Sequence, residues 1–456
     1  MAPSMSTSVD AATPPAVGAG ARDCDVLVIG GGPAGSTAAA LLARRGVRVV
    51  LLEKARHPRF HIGESLLPAN LALFERLGVA DAMRAIGMPK WGAEFVSPWH
   101  AAGRQRFAFA EAWNRSLPMA YQVRRSEFDH ILLRNAANSG ARVVEGCEVR
   151  DVRFEPDGRG ATIGARHDDG PASTWTARYV VDASGRETFL GTRLKDKRRD
   201  ARHASAAMYA HFRGAARGDG KRAGDISIYW FDHGWCWCIP LADGTTSVGV
   251  VAWPYYFKRR DKPLDEFFAD TLARSPQLAA RLAGATRVSE VQATGNYSYA
   301  CRHTHGPGYL LIGDAFAFVD PVFSSGVMLA MQGGVFAAEA LATCLARPRA
   351  EARALRGFDR AMRHGPRAFS WFIHRVNHPS LRDMFMAPRN VLRVREALLS
   401  VLAGDIYGDT PIWPSIRVLK SIFYLDALLH PRRSLRALRL RRRQIDARGA
   451  ADVATH

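Results

Sequence analysis

The stretch that most constrains the fold runs from Asp25 to Glu53. A short apolar run at residues 25–29 breaks into Gly30-Gly31-Gly32-Pro33-Ala34-Gly35, a helical stretch follows over 36–45, and a second apolar run at 47–52 ends on Glu53. Strand, glycine turn, helix, strand and acid within about 30 residues is the βαβ unit that holds a dinucleotide. Each position has its own reason. Gly30 permits the tight turn, Gly32 lets backbone approach a pyrophosphate, and Gly35 lets the helix lie close on the strand. The helix opening at Ala34 and Ser36 presents amides to phosphate. Glu53 accepts from ribose hydroxyls and disfavours a 2′-phosphate, so the adenosine half is that of FAD or NAD rather than NADP.

Two later strands end in the same manner. Residues 178–181 lead into Asp182-Ala183-Ser184-Gly185, and residues 309–312 into Gly313-Asp314. The carboxyl ends of parallel strands carry ligand contacts in such sheets, so Asp182 and Asp314 are expected to face one cofactor. Taken singly, each reads as a plain turn former. Between them, residues 226–251 alternate as a Gly- and Trp-rich antiparallel pattern, and no second glycine fingerprint occurs. One nucleotide is therefore held tightly, not two. The expected architecture is α/β (α+β): a Rossmann-like domain over 23–350 with an interleaved antiparallel sheet, then a helical, strongly basic region over 351–456, with helices at 392–402 and 416–429. Residues 1–22 read as a disordered leader.

The 456 residues, 47% hydrophobic and 23% charged, exclude disorder as the main state. Six scattered cysteines lack metal-ligand spacing, so no metal is expected and a reducing, cytoplasmic setting is. The uncharged segment 321–338 is interrupted by Ser324, Ser325, Gly326, Gln332, Gly333 and Gly334, which fits a buried loop and helix better than a membrane span. Of the net charge of +20, +11 lies from residue 351 onward, densest at Arg432, Arg433, Arg436, Arg439, Arg441, Arg442 and Arg443 among Leu435, Leu438 and Leu440. Three readings compete for it: a solvated basic helix, peripheral contact with the anionic inner membrane surface, and an acidic protein partner. Nucleic acid is excluded, because no aromatic platforms accompany the charge.

The order Gly30, Asp182, Gly313-Asp314 resembles the FAD enzymes that include aromatic hydroxylases, geranylgeranyl reductases and flavin-dependent halogenases, over residues 24–345. The likeness implies that Glu53 meets the FAD ribose, that Arg125 in Arg125-Ser-Glu-Phe128-Asp129 contacts the cofactor, and that Gly313 with Asp314 meets its ribityl and pyrophosphate. Within that class, Trp235-Cys236-Trp237-Cys238-Ile239-Pro240 is the pattern that sets halogenases apart. By that likeness Trp235, Trp237 and Pro240 shield substrate from flavin. Lys90, in Met88-Pro89-Lys90-Trp91-Gly92, resembles the family's catalytic lysine; taken alone, a lysine before Trp-Gly is a surface residue. The resemblance implies that FADH2 and O2 give a flavin hydroperoxide, that halide attacks it, and that Lys90 captures the hypohalous acid by hydrogen bond or as a haloamine.

Asp320-Pro321-Val322-Phe323-Ser324-Ser325-Gly326 resembles the family's halide loop, with Ser325 and Gly326 as its chloride or bromide contacts. The free-tryptophan subgroup carries glutamate beside the serine where this chain has Phe323. The Phe-Ser-Ser form, with Phe60-His61-Ile62-Gly63-Glu64-Ser65-Leu66-Leu67-Pro68, is similar to the subgroup acting on phenols, pyrroles and other electron-rich rings, often tethered to an acyl carrier protein. A flavin reductase supplying FADH2 is the implied partner. An aromatic hydroxylase, an isoprenoid- or polyene-saturating flavin reductase and a non-catalytic flavin-fold module are the alternatives.

Overall fold

The computed structural model describes residues 22–200, 203–295 and 298–445; the leader expected at 1–22 lies outside them apart from Arg22. Val26, Leu27 and Val28 are fully buried. Their strand, Cys24–Ile29, pairs in parallel with Val49–Glu53 on one side and with Ala172–Asp182 on the other. Strands covered on both faces read as unbroken apolar runs, and these do. The eight-stranded sheet runs His305–Gly306, Tyr309–Leu311, Ala172–Asp182, Cys24–Ile29, Val49–Glu53, Arg142–Glu145, with the ribbon Cys147–Phe154 and Ala161–His167 joined to it through Ala172–Asp182.

The first helix starts at Pro33, inside the glycine turn, rather than at Ser36. A proline at the first turn gives up no hydrogen bond and arrives with helical φ, so it advances the start. On this helix packs Gly326–Ala346, the helix that follows the 321–323 turn. Its length and apolar character would suit a membrane span, yet most of it is buried inside the fold. Small residues allow that: a Cβ on Gly334 would stand 2.6 Å from the Ala34 carbonyl oxygen.

The interleaved sheet is antiparallel except where Ile226–Phe231 meets Gly92–Val96. Its order is Thr286–Arg287, Ala206–Arg213, Thr245–Ala252, Gly234–Pro240, Ile226–Phe231, Gly92–Val96, Arg104–Ala108. Period two divides Gly234–Pro240 cleanly. Trp235, Trp237 and Ile239 enter one core, with Phe95, Phe107 and Trp230, while Cys236 and Cys238 enter the opposite core beside Val248 and Val250. All six cysteines are free of disulfides and buried.

The C-terminal helices Glu351–Ile373, Pro379–Met386, Val394–Leu402, Trp413–Leu429 and Pro431–Ile445 follow. Phe369, Phe372, Phe385 and Leu398 pack into the same core as the tryptophans. Pro414 sits in the first turn of Trp413–Leu429, where its missing N–H costs nothing.

Candidate active site

A cleft of about 520 Å3 runs from the glycine turn to the tryptophan strand. Gly30, Gly32, Ala34, Glu53, Arg125, Asp314 and Gly326 line it, as do Trp235 and Trp237. The sequence's separate motifs therefore meet in one place.

The turn end is built for a phosphate. Gly30 has φ +99, and a Cβ on Gly35 would lie 2.0 Å from the Gly30 carbonyl oxygen. Gly32 differs: among the described residues a Cβ there would meet only Arg59 Nη2, at 3.7 Å. Glu53 closes the floor, its carboxylate accepting from the amides of Gly31 at 2.5 Å and Ala55 at 2.8 Å. Each oxygen keeps a lone pair for a ribose hydroxyl. A left-handed glycine, a bare backbone facing an arginine and a buried acid at the strand end fit FAD.

Arg125 and Asp314 hold the middle. The Arg125 guanidinium is forked onto Asp129 at 2.8 and 3.0 Å and donates to the Ile62 carbonyl at 3.0 Å, so it fixes the 60–65 loop as well as lining the cleft. Burial pushes the Asp314 carboxyl up to about 6, against the pull of Arg125 and Arg186.

Four sequence expectations need correction. Asp182 does not line the cleft: it is fully buried, and its carboxylate accepts from the amides of Ser184 at 2.9 Å and Leu190 at 2.7 Å, the turn-former reading. Ser36 does not line the cleft: its amide donates to the Gly32 carbonyl at 3.0 Å and its hydroxyl to the Gly31 carbonyl at 2.8 Å, so both brace the turn. Pro240 belongs to the strand parity of Cys236 and Cys238, so it points away from the two tryptophans. Gly313, with φ +57, sits where a Cβ would approach Ala34 Cβ to 3.0 Å; it lines a small hollow behind the 320–326 loop rather than the main cleft.

At the other end, the indole rings of Trp235 and Trp237 stand 6.1 Å apart, and Trp237 donates from Nε1 to Ser247 at 3.1 Å. Its cross-strand partner is Gly249, and a Cβ there would fall 2.2 Å from the ring. The missing side chain is what lets the indole lie flat.

Lys90 is 1% exposed, not a surface residue. Its three-residue strand, Met88–Lys90, pairs with Ala120–Gln122, which also bridges to Ser65. Nζ donates to Ser65 Oγ and the Leu66 carbonyl, both at 2.9 Å, and lies 5.3 Å from the centre of the Phe109 ring. Burial lowers its pKa to about 7, with Asp225 opposing. Ser65 lines the cleft and Lys90 stands directly behind it.

The 320–326 loop is pinned from below by residues that the sequence reading did not single out. Asp320 accepts from His203 Nε2 at 2.8 Å, Ser205 Oγ at 2.9 Å and the Val322 amide at 3.1 Å. Ser324 takes the left-handed conformation, φ +55, and the helix opens at Gly326. Its first amides have no acceptor within the helix; Gly326 lines both the cleft and the hollow behind it, and Ser325 lines the hollow. Phe323 is buried against Phe385 and Phe372. Asp320→Ala should strand three donors, lowering stability by on the order of 3 kcal/mol, read from thermal melting.

Glu64, paired with His211 at 3.0 Å, and Arg186, hydrogen-bonded to Thr294 at 2.6 Å, also line the cleft. These partners are 147 and 108 residues apart in sequence, and nothing local marks them. Among the described residues no group of three or more His, Cys, Asp or Glu could hold a metal ion.

Residues 23–363 match the FAD binding domain family, so the cleft defines an FAD-dependent flavoenzyme. A 1H-pyrrole-2-carbonyl peptidyl-carrier-protein chlorinase of Pseudomonas fluorescens is 32% identical over 412 residues, 85% of this chain and 90% of that one. The solved structure of the myxobacterial chondrochloren halogenase superposes with a TM-score of 0.74 at 35% identity, over 86% of this chain and 92% of that one. A tryptophan 2-halogenase of Chondromyces crocatus is 36% identical over 333 residues, 70% of this chain; the chain spans only 61% of that relative's length. The chain belongs to the flavin-dependent halogenases.

Proposed function

We propose that the protein chlorinates or brominates an electron-rich aromatic ring, with reduced FAD delivered by a separate flavin reductase. Bound FAD supplies the two-electron reduction of O2 that turns halide into an electrophile. The chain's residues do the rest. The carrying observation is Lys90: a buried amine 2.9 Å from Ser65 and one residue behind the cleft wall that Ser65 forms. As a neutral amine, Nζ satisfies both Ser65 and Leu66 with its two hydrogens and keeps a lone pair to receive halogen. The amides of Ser325 and Gly326 are the proposed halide seat. Trp235 and Trp237 keep the ring away from flavin, so that only the small oxidised halogen species travels.

Phe323 contributes no carboxylate to the loop, which favours phenols and pyrroles over free indole, and the carrier-protein chlorinase makes a tethered ring the first choice. The test incubates the protein, FAD, a reductase and NADH with phenols, pyrroles and indoles, free and carrier-bound, and with each halide. A halogen isotope pattern in the product mass supports the proposal; an added oxygen without halogen overturns it in favour of hydroxylation.

The amine reading predicts a pH profile. With Lys90 titrating near 7, the neutral fraction grows as pH rises, so halogenation at saturating reduced flavin should climb between about pH 6 and 8. A rate that falls across that window assigns the work to the ammonium form.

A further inference from the structure

The last two helices carry apolar side chains that the other described residues leave exposed. On Trp413–Leu429, Ile422, Leu425 and Leu429 recur with helical spacing along one side, with Val418 on that side partly buried against the core. Leu425 is 58% exposed, Leu428 76% and Leu429 69%. The side opposite, Ile416, Leu419 and Phe423, is buried. Pro431–Ile445 adds exposed Leu435 and Leu438. Between Pro431 and Ile445 the sequence has seven arginines and no acid. Arg433 is held by Asp383 at 2.6 Å, while Arg432, Arg436, Arg439 and Arg442 are exposed around the leucines.

We propose that this patch seats the protein on an anionic lipid bilayer. Two facts choose the occupant. Charge excludes a second copy: pairing the leucine faces would bring two all-basic helices within a screening length of each other, which is about 8 Å at physiological salt. Shape disfavours a folded protein partner, whose hot spots want a pocket, because the leucines project from helix surfaces and offer none. Projecting leucines ringed by arginines match an acyl-chain and headgroup boundary, where apolar burial and attraction to lipid phosphates add. Asp426 is the acid on the seating helix, and His430 lies 3.2 Å from it.

The inference does not rest on the halogenase reading, and its test needs no catalysis. The full chain is sedimented with phosphatidylcholine vesicles and with vesicles of phosphatidylcholine and phosphatidylglycerol in about 0.1 M salt. Binding should occur to the anionic vesicles only and be released near 1 M salt, where the screening length falls to about 3 Å. L425E/L429E and R432Q/R436Q/R439Q should each lower partitioning at least tenfold while melting within a few degrees of the parent, since all five side chains are exposed. A wild-type chain left in the supernatant with anionic vesicles overturns the proposal. So does undiminished binding by L425E/L429E, a dimer dissolved by that variant, or capture by an acidic carrier protein in place of vesicles.

Discussion

Lys90→Ala should keep full FAD occupancy and lose halogenation by at least a thousandfold, about 4 kcal/mol of barrier. The two effects separate because Lys90 contacts Ser65, Leu66 and the Phe109 ring, and lines no part of the cleft where the dinucleotide lies. Truncation leaves a hole beside Phe109 and two acceptors without their donor, which costs stability on the order of 2 kcal/mol. Lys90→Met keeps the volume and removes the amine, so it distinguishes chemistry from packing. Both variants should reduce O2 with bound FADH2 and release peroxide, with no halogenated product by mass spectrometry. If Lys90→Met halogenates at even a tenth of the parent rate, a different group captures the oxidised halogen and the mechanism fails.

The glycine turn, Glu53 and the two tryptophans were legible because their signals are local. Turn chemistry and period two are written within a few residues of each site. Period two also contained the answer for Pro240: from Trp235 it falls on the opposite parity, so the hexamer could not present all its named positions to one side. Lys90 was legible as a motif and illegible as an environment. Its burial depends on a strand pairing with Ala120–Gln122 and on a carbonyl from the 60–68 loop, and no pattern around residue 90 encodes either. Asp182 failed for a different reason. Acid after a strand suits a cofactor contact and a turn equally, and only the positions of the Ser184 and Leu190 amides decide between them. The His203–Asp320 and His211–Glu64 pairs bring distant segments together under the cleft, so they belong to tertiary structure alone.

Gly32→Val should give a folded protein without flavin. Gly32 has φ −71 and ψ −174, extended backbone that any residue adopts, and its absent Cβ would touch nothing nearer than Arg59 Nη2 at 3.7 Å. No feature of the apoprotein requires glycine there. A β-branched side chain would instead occupy the ground between the turn and Arg59, where a pyrophosphate must come against bare backbone. FAD affinity should fall at least a hundredfold, about 3 kcal/mol, with the melting temperature of the apoprotein within a few degrees of the parent. Gly35→Ala is the opposite case. Its Cβ would lie 2.0 Å from the Gly30 carbonyl oxygen, so the helix must lift off the strand and the loss should appear as misfolding. The pair separates binding from folding within four residues of one motif: flavin absorbance reports the first, thermal melting the second. Stoichiometric FAD on purified Gly32→Val would show that the phosphates lie elsewhere and that the turn only shapes the fold.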